Sequence, residues 1–254
     1  MKIDFEHAHP AFPGAGQDRA DIDICPDEAA LLANGIFGFS PQDARARPFL
    51  QLRSQLRKLM QQREQRVLAV TSVQPGDGKT FVAANLAAAM SAVHPTLLVD
   101  LDLRRSTLTQ RLDMPVRAGV DDYLAGASSW HPTGTRIRGH RLTVHGVRES
   151  RADAASLIAS PRFEELARLI RTLPGDPICI LDTPPVLICD EVVAIGKVAD
   201  AILLVVDEGR TQRSALTDAV RLLSPTPIIG SVLNRSLTGD RNRQAYEQYY
   251  RPRR

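Results

Sequence analysis

Six short apolar runs alternate with helical stretches along most of this 254-residue chain. Each run is apolar at consecutive positions, which indicates a strand buried on both faces, and long crossovers separate one run from the next. Buried strands joined by helical crossovers are typical of a parallel sheet covered by helices on both sides. We therefore predict an α/β fold with a mostly parallel sheet, whose strands lie at residues 66–72, 96–101, 141–146, 178–182, 201–207 and 228–234.

The same pattern sets the predicted domain boundaries. Residues 46–236 are expected to form one domain, with main helices at residues 48–65, 79–93, 160–173, 191–199 and 211–224. Residues 1–45 are rich in Pro, Gly, Asp and Ala without sustained periodicity, so we expect a disordered segment. Within the domain, residues 125–141 have the composition of an irregular surface insertion that contains Trp130. Residues 237–254 form a tail rich in arginine and tyrosine.

The stretch TSVQPGDGKT, at residues 71–80, follows the first strand of this domain and precedes a helix. Glycines let backbone N–H groups turn toward an anion, and the helix N-terminus adds the positive end of a dipole. Lys79 can reach the β- and γ-phosphates of a nucleotide, and the Thr80 hydroxyl can bind Mg²⁺. A strict P-loop pattern has glycine where this chain has Val73. We nevertheless predict a P-loop nucleotide site, whose residues are Gly76, Asp77, Gly78, Lys79 and Thr80.

Two further strands end in carboxylates. Asp100 and Asp102 lie in the stretch LLVDLDLRRS, and Asp182 lies at the end of ICILD. The carboxyl ends of the strands in such a sheet lie where the ligand binds. Since Mg²⁺ takes few and hard oxygen ligands, Thr80 with one or two of these carboxylates and the phosphates is sufficient. The sequence therefore predicts a magnesium site beside the phosphate loop.

Composition excludes several other function classes. A formal net charge of +3 is too small to indicate nucleic-acid binding, so no nucleic-acid partner is expected. The three cysteines show no C-x-x-C spacing, which argues against a zinc site and a disulfide framework and fits a reducing compartment. The chain opens without an apolar signal region, and its dense apolar run at residues 201–206 is far shorter than the ~18 residues of a membrane span. We expect a cytoplasmic protein.

The motifs QPGDGKT, VDLDLRR and LDTPP, followed by VADAILLVVDEGRTQRSAL and GSVLNRS, resemble the cytoplasmic domain of bacterial tyrosine autokinases. The resemblance extends from about residue 48 to 236 and includes the weaker segments 119–126 and 155–166. That family has a P-loop NTPase fold and serves capsule and exopolysaccharide synthesis. The resemblance thus implies an ATP-dependent protein-tyrosine kinase that uses ATP and Mg²⁺.

The resemblance also implies a role for each matching residue of the nucleotide site. Lys79 and Thr80 correspond to the Walker A pair of the family. Asp100 corresponds to a residue often regarded as the catalytic base, and Asp102 to a magnesium ligand. Asp182 corresponds to the Walker B aspartate, which also binds the metal. The implied catalytic residues are therefore Lys79, Asp100 and Asp102.

Outside this centre, Asn234 corresponds to an asparagine near the adenine. A C-terminal tyrosine cluster is the autophosphorylated substrate in the family, and its counterparts here are Tyr246, Tyr249 and Tyr250. The family couples its kinase to a membrane-embedded chain-length regulator, on the same or on a separate polypeptide. We infer a separate membrane partner for this chain, recruitment to the inner membrane through that partner, and self-association as a further implication.

The sequence departs from the family pattern in three places. The assembly helix of the family carries Glu-x-x-Arg-x-x-Arg, and the corresponding residues here are Arg47, Leu50 and Arg53. Ser106 stands where a proline usually follows the paired arginines, and the tyrosine cluster is short. Two alternatives to a kinase remain open: a partitioning-type ATPase switch and a catalytically silent ATP-binding partner of a polysaccharide machine. The related partitioning ATPases have an additional lysine where this chain has Gln74. The absence of this lysine favours the kinase.

Overall fold

The predicted apolar runs form the centre of one sheet in a computed structural model, which describes residues 22–236. Within that range the strands are β1 (Ile22–Ile24), β2 (Val67–Ser72), β3 (Thr96–Asp100), β4 (Gly134–Ile137), β5 (Leu142–His145), β6 (Ile178–Asp182), β7 (Ala201–Asp207) and β8 (Ile228–Asn234). They lie side by side in the order β1-β4-β5-β3-β6-β2-β7-β8. Strands β5, β3, β6, β2, β7 and β8 are mutually parallel, and β4 is antiparallel to β5. The predicted mostly parallel α/β sheet is confirmed.

Helices cover both faces of this sheet. Within residues 22–236 they are α1 (Glu28–Ala33), α2 (Arg47–Gln62), α3 (Lys79–Ser91), α4 (Leu108–Arg111), α5 (Val120–Leu124), α6 (Ala154–Ile158), α7 (Pro161–Thr172), α8 (Glu191–Val198) and α9 (Arg213–Leu223). Because side chains alternate along a strand, β2 contributes Leu68 and Val70 to the core beneath α2 and α3. Its residues Val67 and Ala69 face the opposite core, which α5–α9 cover. None of the helices in the described part of the chain has the length and apolar character needed to cross a membrane.

The expected disorder of residues 1–45 is corrected for residues 22–45. These residues contain β1, α1 and most of a 3₁₀ turn at Ala44–Ala46, and residues 22–46 are called the N-terminal strap below. Asn85 of α3 holds the strap, since its Oδ1 accepts the N–H groups of Phe37 and Gly38 at 2.6 and 3.0 Å. Its Nδ2 donates to the carbonyl of Gly35 at 2.9 Å. The remaining part of that prediction, residues 1–21, lies outside the described residues.

The predicted irregular insertion at residues 125–141 is also more ordered than expected. It contains a 3₁₀ turn, His131–Thr133, and strand β4. Trp130 is buried, and its ring stacks on that of His145 with centroids 3.7 Å apart. The insertion therefore contributes an aromatic layer to the core, because Trp130 fills the space beneath β5.

Candidate nucleotide-binding site

The loop between β2 and α3 has the backbone shape of a phosphate loop. Gly76 and Gly78 have φ values of +87° and +100°, which favour glycine. A side chain at position 78 would in addition clash with the Asn234 side chain. The Nδ2 of Asn234 donates to the carbonyl of Asp77 at 2.7 Å, and the Asp77 carboxylate accepts the N–H of Gln74 at 2.9 Å. Strand β8 and the loop thus hold each other in place.

Lys79 lies at the centre of the site. Its ammonium group is 2.7 Å from Asp102 Oδ2 and 3.8 Å from Asp182 Oδ1. The same group donates to the Thr80 hydroxyl at 3.1 Å. Burial acts to lower the pKa of Lys79, but the charges of Asp182 and Asp102 outweigh it and raise that pKa. Lys79 is therefore a stable cation inside the protein.

Asp100 and Asp182 are direct neighbours on the adjacent strands β3 and β6. Burial raises the pKa of both carboxyl groups, and the charge of Asp182 raises that of Asp100 further. The charge of Lys79 opposes the shift in both residues. Both carboxylate oxygens of Asp182 are buried and have no hydrogen-bond partner among residues 22–236. Such buried acceptors indicate a place for an additional cation or donor.

Asp100 is enclosed more completely than the other carboxylates. Its Oδ1 accepts the N–H of Asp102 at 3.0 Å, and its Oδ2 accepts the Ser106 hydroxyl at 2.5 Å. Asp100 has no solvent exposure. Asp102, in contrast, lines the adjacent cavity. The structure therefore places Asp100 behind Asp102, with both of its oxygens already bonded.

A cavity of about 870 Å³ opens above this centre, a volume within the usual range of small-molecule sites, roughly 300–1,000 Å³. Gly76, Gly78, Lys79 and Thr80 line one part of it, and Asn234 lies at its rim. Charged residues from other parts of the chain also line it, namely Arg104, Arg105, Arg111, Asp190, Glu191 and Arg235. The charged lining thus makes the cavity suitable for a highly charged ligand.

The side chains around Lys79 fit a magnesium ion. Mg²⁺ prefers hard oxygen ligands and is usually held by one or two carboxylates together with substrate phosphates. Thr80, Asp102 and Asp182 offer oxygens of this kind, and the Lys79 ammonium already lies within 4 Å of all three. No cluster of three or more His, Cys, Asp or Glu residues in the described chain could hold a metal ion by itself. A metal at this place would need the phosphates as additional ligands.

The structure brings most of the predicted site residues to one edge of the sheet, and these are Gly76, Asp77, Gly78, Lys79, Thr80, Asp102, Asp182 and Asn234. Asp100 lies directly behind this group. The three tail tyrosines lie outside the described residues. Sequence reasoning missed the cavity arginine Arg111 and the buried carboxylate Glu191, because nothing in their local sequence distinguishes them from surface residues.

The sheet and this loop define the class: the protein has the fold of the P-loop NTPases. Among solved structures, the chimerical protein CapA2B2 superposes with a TM-score of 0.71 and 24% identity over 86% of this chain and 94% of that one. The kinase domain of the Escherichia coli tyrosine kinase ETK also gives 0.71, at 24% identity over 80% of this chain and 81% of that one. Apo McdA from Cyanthece has the same general fold, with a TM-score of 0.54 at 18% identity over 74% of this chain and 82% of that one.

The chain is also similar in sequence to curated proteins. The chain is 33% identical over 183 residues to the tyrosine-protein kinase wzc of Salmonella typhimurium, which is 70% of this chain and 24% of the relative. It is 31% identical over 180 residues to the succinoglycan biosynthesis transport protein ExoP of Rhizobium meliloti, 68% of this chain and 22% of that protein. Tyrosine-protein kinase YwqD of Bacillus subtilis is 26% identical over 197 residues, 76% of this chain and 82% of the relative. No family model matches. Over the matched region the chain is therefore similar to bacterial tyrosine-protein kinases.

The length of the match limits what the relatives imply. The chain spans about a quarter of the first two relatives and most of the third. The resemblance seen in the sequence motifs is therefore confirmed for the kinase region.

Proposed function

We propose that this protein is an ATP-dependent tyrosine kinase that phosphorylates Tyr246, Tyr249 and Tyr250 of its own tail. The observation that carries the proposal is the buried Lys79 ammonium, enclosed by Thr80, Asp102 and Asp182 at the mouth of a glycine loop. Relatives with this region are named tyrosine-protein kinases. Phosphoryl transfer depends mainly on positioning and on charge stabilisation, which is what this set of residues can supply.

Each residue of the centre has a proposed task. The N–H groups of the glycine loop and the Lys79 ammonium bind the phosphates of ATP. Lys79 can do so at neutral pH because its neighbours raise its pKa. Thr80, Asp102 and Asp182 would hold Mg²⁺, which when bound neutralises charge on the transferred phosphoryl group. Asn234 fixes the loop through the Asp77 carbonyl and lies where a base could pack.

Asp100 is the proposed acceptor of the tyrosine proton. A free tyrosine has a pKa of ~10, so it needs a base as the bond to phosphorus forms. Because both oxygens of Asp100 are hydrogen-bonded inside the chain, contact with a tyrosine requires the turn from Asp102 to Ser106 to open. The proposed reaction therefore includes a local movement of this turn.

We further propose that the kinase regulates exopolysaccharide or capsule synthesis. One relative is named a succinoglycan biosynthesis transport protein, which supports this context. In this proposal the chain is cytoplasmic and reaches the inner membrane through a separate, membrane-embedded chain-length regulator. Coexpression with such a regulator should move the chain from the supernatant to the membrane pellet. A chain that pellets equally with pure neutral lipid vesicles would contradict recruitment by a partner.

The decisive experiment is mass spectrometry of the purified chain after incubation with ATP and Mg²⁺. We expect phosphate on Tyr246, Tyr249 or Tyr250, and none in the Lys79→Met variant. The same variant should lose the thermal stabilisation that ATP·Mg²⁺ gives the wild type, while its circular dichroism spectrum stays that of a folded protein.

Two other outcomes would each replace the proposal. Steady release of phosphate with an unmodified tail would favour the partitioning-type ATPase switch. Binding of ATP without either product would favour a silent ATP-binding partner. Wild-type protein that is indifferent to ATP·Mg²⁺ would refute the nucleotide site itself.

A further inference from the structure

The cavity is lined by several arginines, and they differ in how their charges are used. Arg104 forms an ion pair with the buried Glu191 at 2.7 Å. Arg235 is paired with the buried Asp207. Both charges are therefore largely cancelled inside the protein. These two arginines therefore attract an anionic ligand less strongly than an unpaired arginine would.

Arg105 and Arg111 also line the cavity, but neither forms an ion pair with a carboxylate among residues 22–236. Arg105 is exposed. Arg111, the last residue of α4, is instead held by a neutral group, since its Nη1 donates to the carbonyl of Asn34 at 3.1 Å. Its Nε is buried without a hydrogen-bond partner in the described chain. Arg111 thus combines a fixed position with an uncancelled charge.

The anchor of Arg111 belongs to the N-terminal strap. Asn34 makes two hydrogen bonds with α4, because its Nδ2 also donates to the carbonyl of Gln110 at 3.1 Å. A Cβ on Gly35 would lie 3.9 Å from the Arg111 Nη1 and 3.4 Å from the Phe81 ring. Phe81 directly follows Thr80 and also lines the cavity. The guanidinium group of Arg111 therefore lies close to the start of α3, where the phosphate loop ends.

We propose that Arg111 is a phosphate-binding residue of the ATP site and that the N-terminal strap holds it in position. The inference rests on the proposed ATP binding and extends it to a residue outside the loop motifs. Guanidinium groups bind phosphate through several parallel N–H donors, and an anchored side chain loses less entropy on binding.

The charge balance of the site supports this assignment. Three carboxylates, Asp100, Asp102 and Asp182, surround the single ammonium of Lys79. An additional uncancelled cation would offset part of their repulsion toward ATP.

Calorimetric titration of the full chain with ATP, ADP and AMP, each with Mg²⁺, tests the proposal. Arg111→Gln should weaken ATP binding roughly tenfold to a hundredfold, the range expected for one charged hydrogen bond. ADP should lose less, and AMP should bind as in the wild type. Arg168→Gln is the matched control, because Arg168 is exposed on α7, beyond the opposite face of the sheet, and its loss changes net charge equally. Equal ATP affinities of the two variants would overturn the proposal.

A double-mutant cycle between Asn34 and Arg111 tests the role of the strap. Asn34→Ala removes the hydrogen bond to Gln110 and should weaken ATP binding by a smaller factor than Arg111→Gln does. If the strap acts by holding Arg111, the Asn34→Ala change should have no effect in the Arg111→Gln background. Losses that simply multiply would show that the strap does not act through Arg111.

Failure of this inference is distinguishable from failure of the proposed kinase. Wild-type protein that binds ATP but gains no phosphotyrosine would refute the kinase and leave the Arg111 test valid. Wild-type protein that phosphorylates its tail, with unchanged ATP affinity in Arg111→Gln, would refute the Arg111 assignment alone.

Discussion

Ser106 departs from the pattern of the tyrosine autokinases that the sequence resembles, and it also touches Asp100, the proposed acceptor of the tyrosine proton. Its hydroxyl bonds to Asp100 Oδ2 at 2.5 Å, a contact that proline in this position cannot make. Because Oδ1 of the same carboxylate accepts the N–H of Asp102, Asp100 is fixed at both oxygens. We infer that Ser106 is a positioning residue that acts through Asp100.

Ser106→Ala should therefore speed tail phosphorylation by up to about tenfold, because the hydrogen bond that must open before a tyrosine reaches Asp100 is absent. ATP affinity should stay unchanged because Ser106 is not among the residues that line the cavity. Ser106→Thr retains the hydroxyl and should keep the wild-type rate. A quench-flow or mass-spectrometric time course at saturating ATP measures this, and an unaltered rate in Ser106→Ala would exclude the positioning role.

At the scale of elements, the strap depends on one side chain of α3. Asn85→Leu removes hydrogen bonds to Gly35, Phe37 and Gly38, which leaves buried backbone groups without partners. We expect a loss of roughly 3 kcal/mol in the free energy of unfolding, at about 1 kcal/mol for each bond. Urea denaturation measures that loss, and limited proteolysis should cut within residues 22–46.

Ser91→Ala is the control for Asn85→Leu. Ser91 is buried on the same helix, but within residues 22–236 its hydroxyl bonds only to the carbonyl of Ala88. Its removal should leave the strap resistant to protease. Equal cleavage of the strap in both variants would show that general weakening of α3, and not loss of the Asn85 bonds, releases it.

The aromatic layer beneath β5 should make stability depend on pH. Burial lowers the pKa of His145 to about 3, and the nearby His131 contributes. The Thr133 hydroxyl donates to the Trp130 carbonyl and also contacts His145 Nδ1 at 2.7 Å, so Nδ1 carries the hydrogen of the neutral ring. An unfolded histidine has a pKa of ~6.5, so between these values the unfolded state binds one more proton. Stability is thus complete above about pH 6.5 and falls as the pH drops, by up to ~1.4 kcal/mol per unit.

Urea denaturation at pH 7.5 and pH 5.0 tests this dependence. The free energy of unfolding of the wild type should fall by about 2 kcal/mol more than that of His145→Phe, which keeps an aromatic ring beside Trp130 but cannot be protonated. The variant should be less stable at pH 7.5 because it lacks the hydrogen bond to Thr133. Parallel losses in both proteins would show that other groups cause the acid sensitivity.

These elements also show how far the sequence can predict the structure. Strand β7 was predicted because its apolar run is continuous, whereas β4 has four residues that begin with glycine and gives no such signal. The strap was missed because its order comes from Asn85, a distant residue of α3. Lys79 was found through its loop motif. Arg111 was not, because its anchor, Asn34, is 77 positions away in the chain.

At the scale of the whole molecule, α2 bears on self-association. Arg53, which matches the last arginine of the family's assembly helix, donates to the carbonyl of Ala89 at 3.2 Å within its own chain. Arg47 stands where the motif has glutamate, and Leu50 stands where it has the first arginine. This use of Arg53 favours a role in packing α2 on α3. If the chain self-associates, contacts outside this motif must contribute.

In the proposed function, the tail is the part of the molecule that phosphorylation would change. Asn234 and Arg235, at the end of β8, line the cavity, so the described part of the chain ends close to it. About a dozen residues lead from there to Tyr246, enough to span roughly 40 Å when extended. Residues 241–254 carry five arginines and one glutamate, a formal charge of +4. Each phosphotyrosine adds ~−1.5 to −2, so three of them reverse the sign.

Phosphorylation should therefore drive the tail away from a site that already holds three carboxylates and ATP. We expect unmodified protein to self-associate or to retain its membrane partner, and phosphorylated protein to release it, because like charges then repel at the cavity. Sedimentation velocity of both forms at matched ionic strength measures self-association, and a pull-down with the chain-length regulator measures the other contact. The variant with phenylalanine at positions 246, 249 and 250, treated with ATP, controls for nucleotide binding. Identical behaviour of the phosphorylated and unmodified forms in both assays would reduce the tail to an ordinary charged terminus.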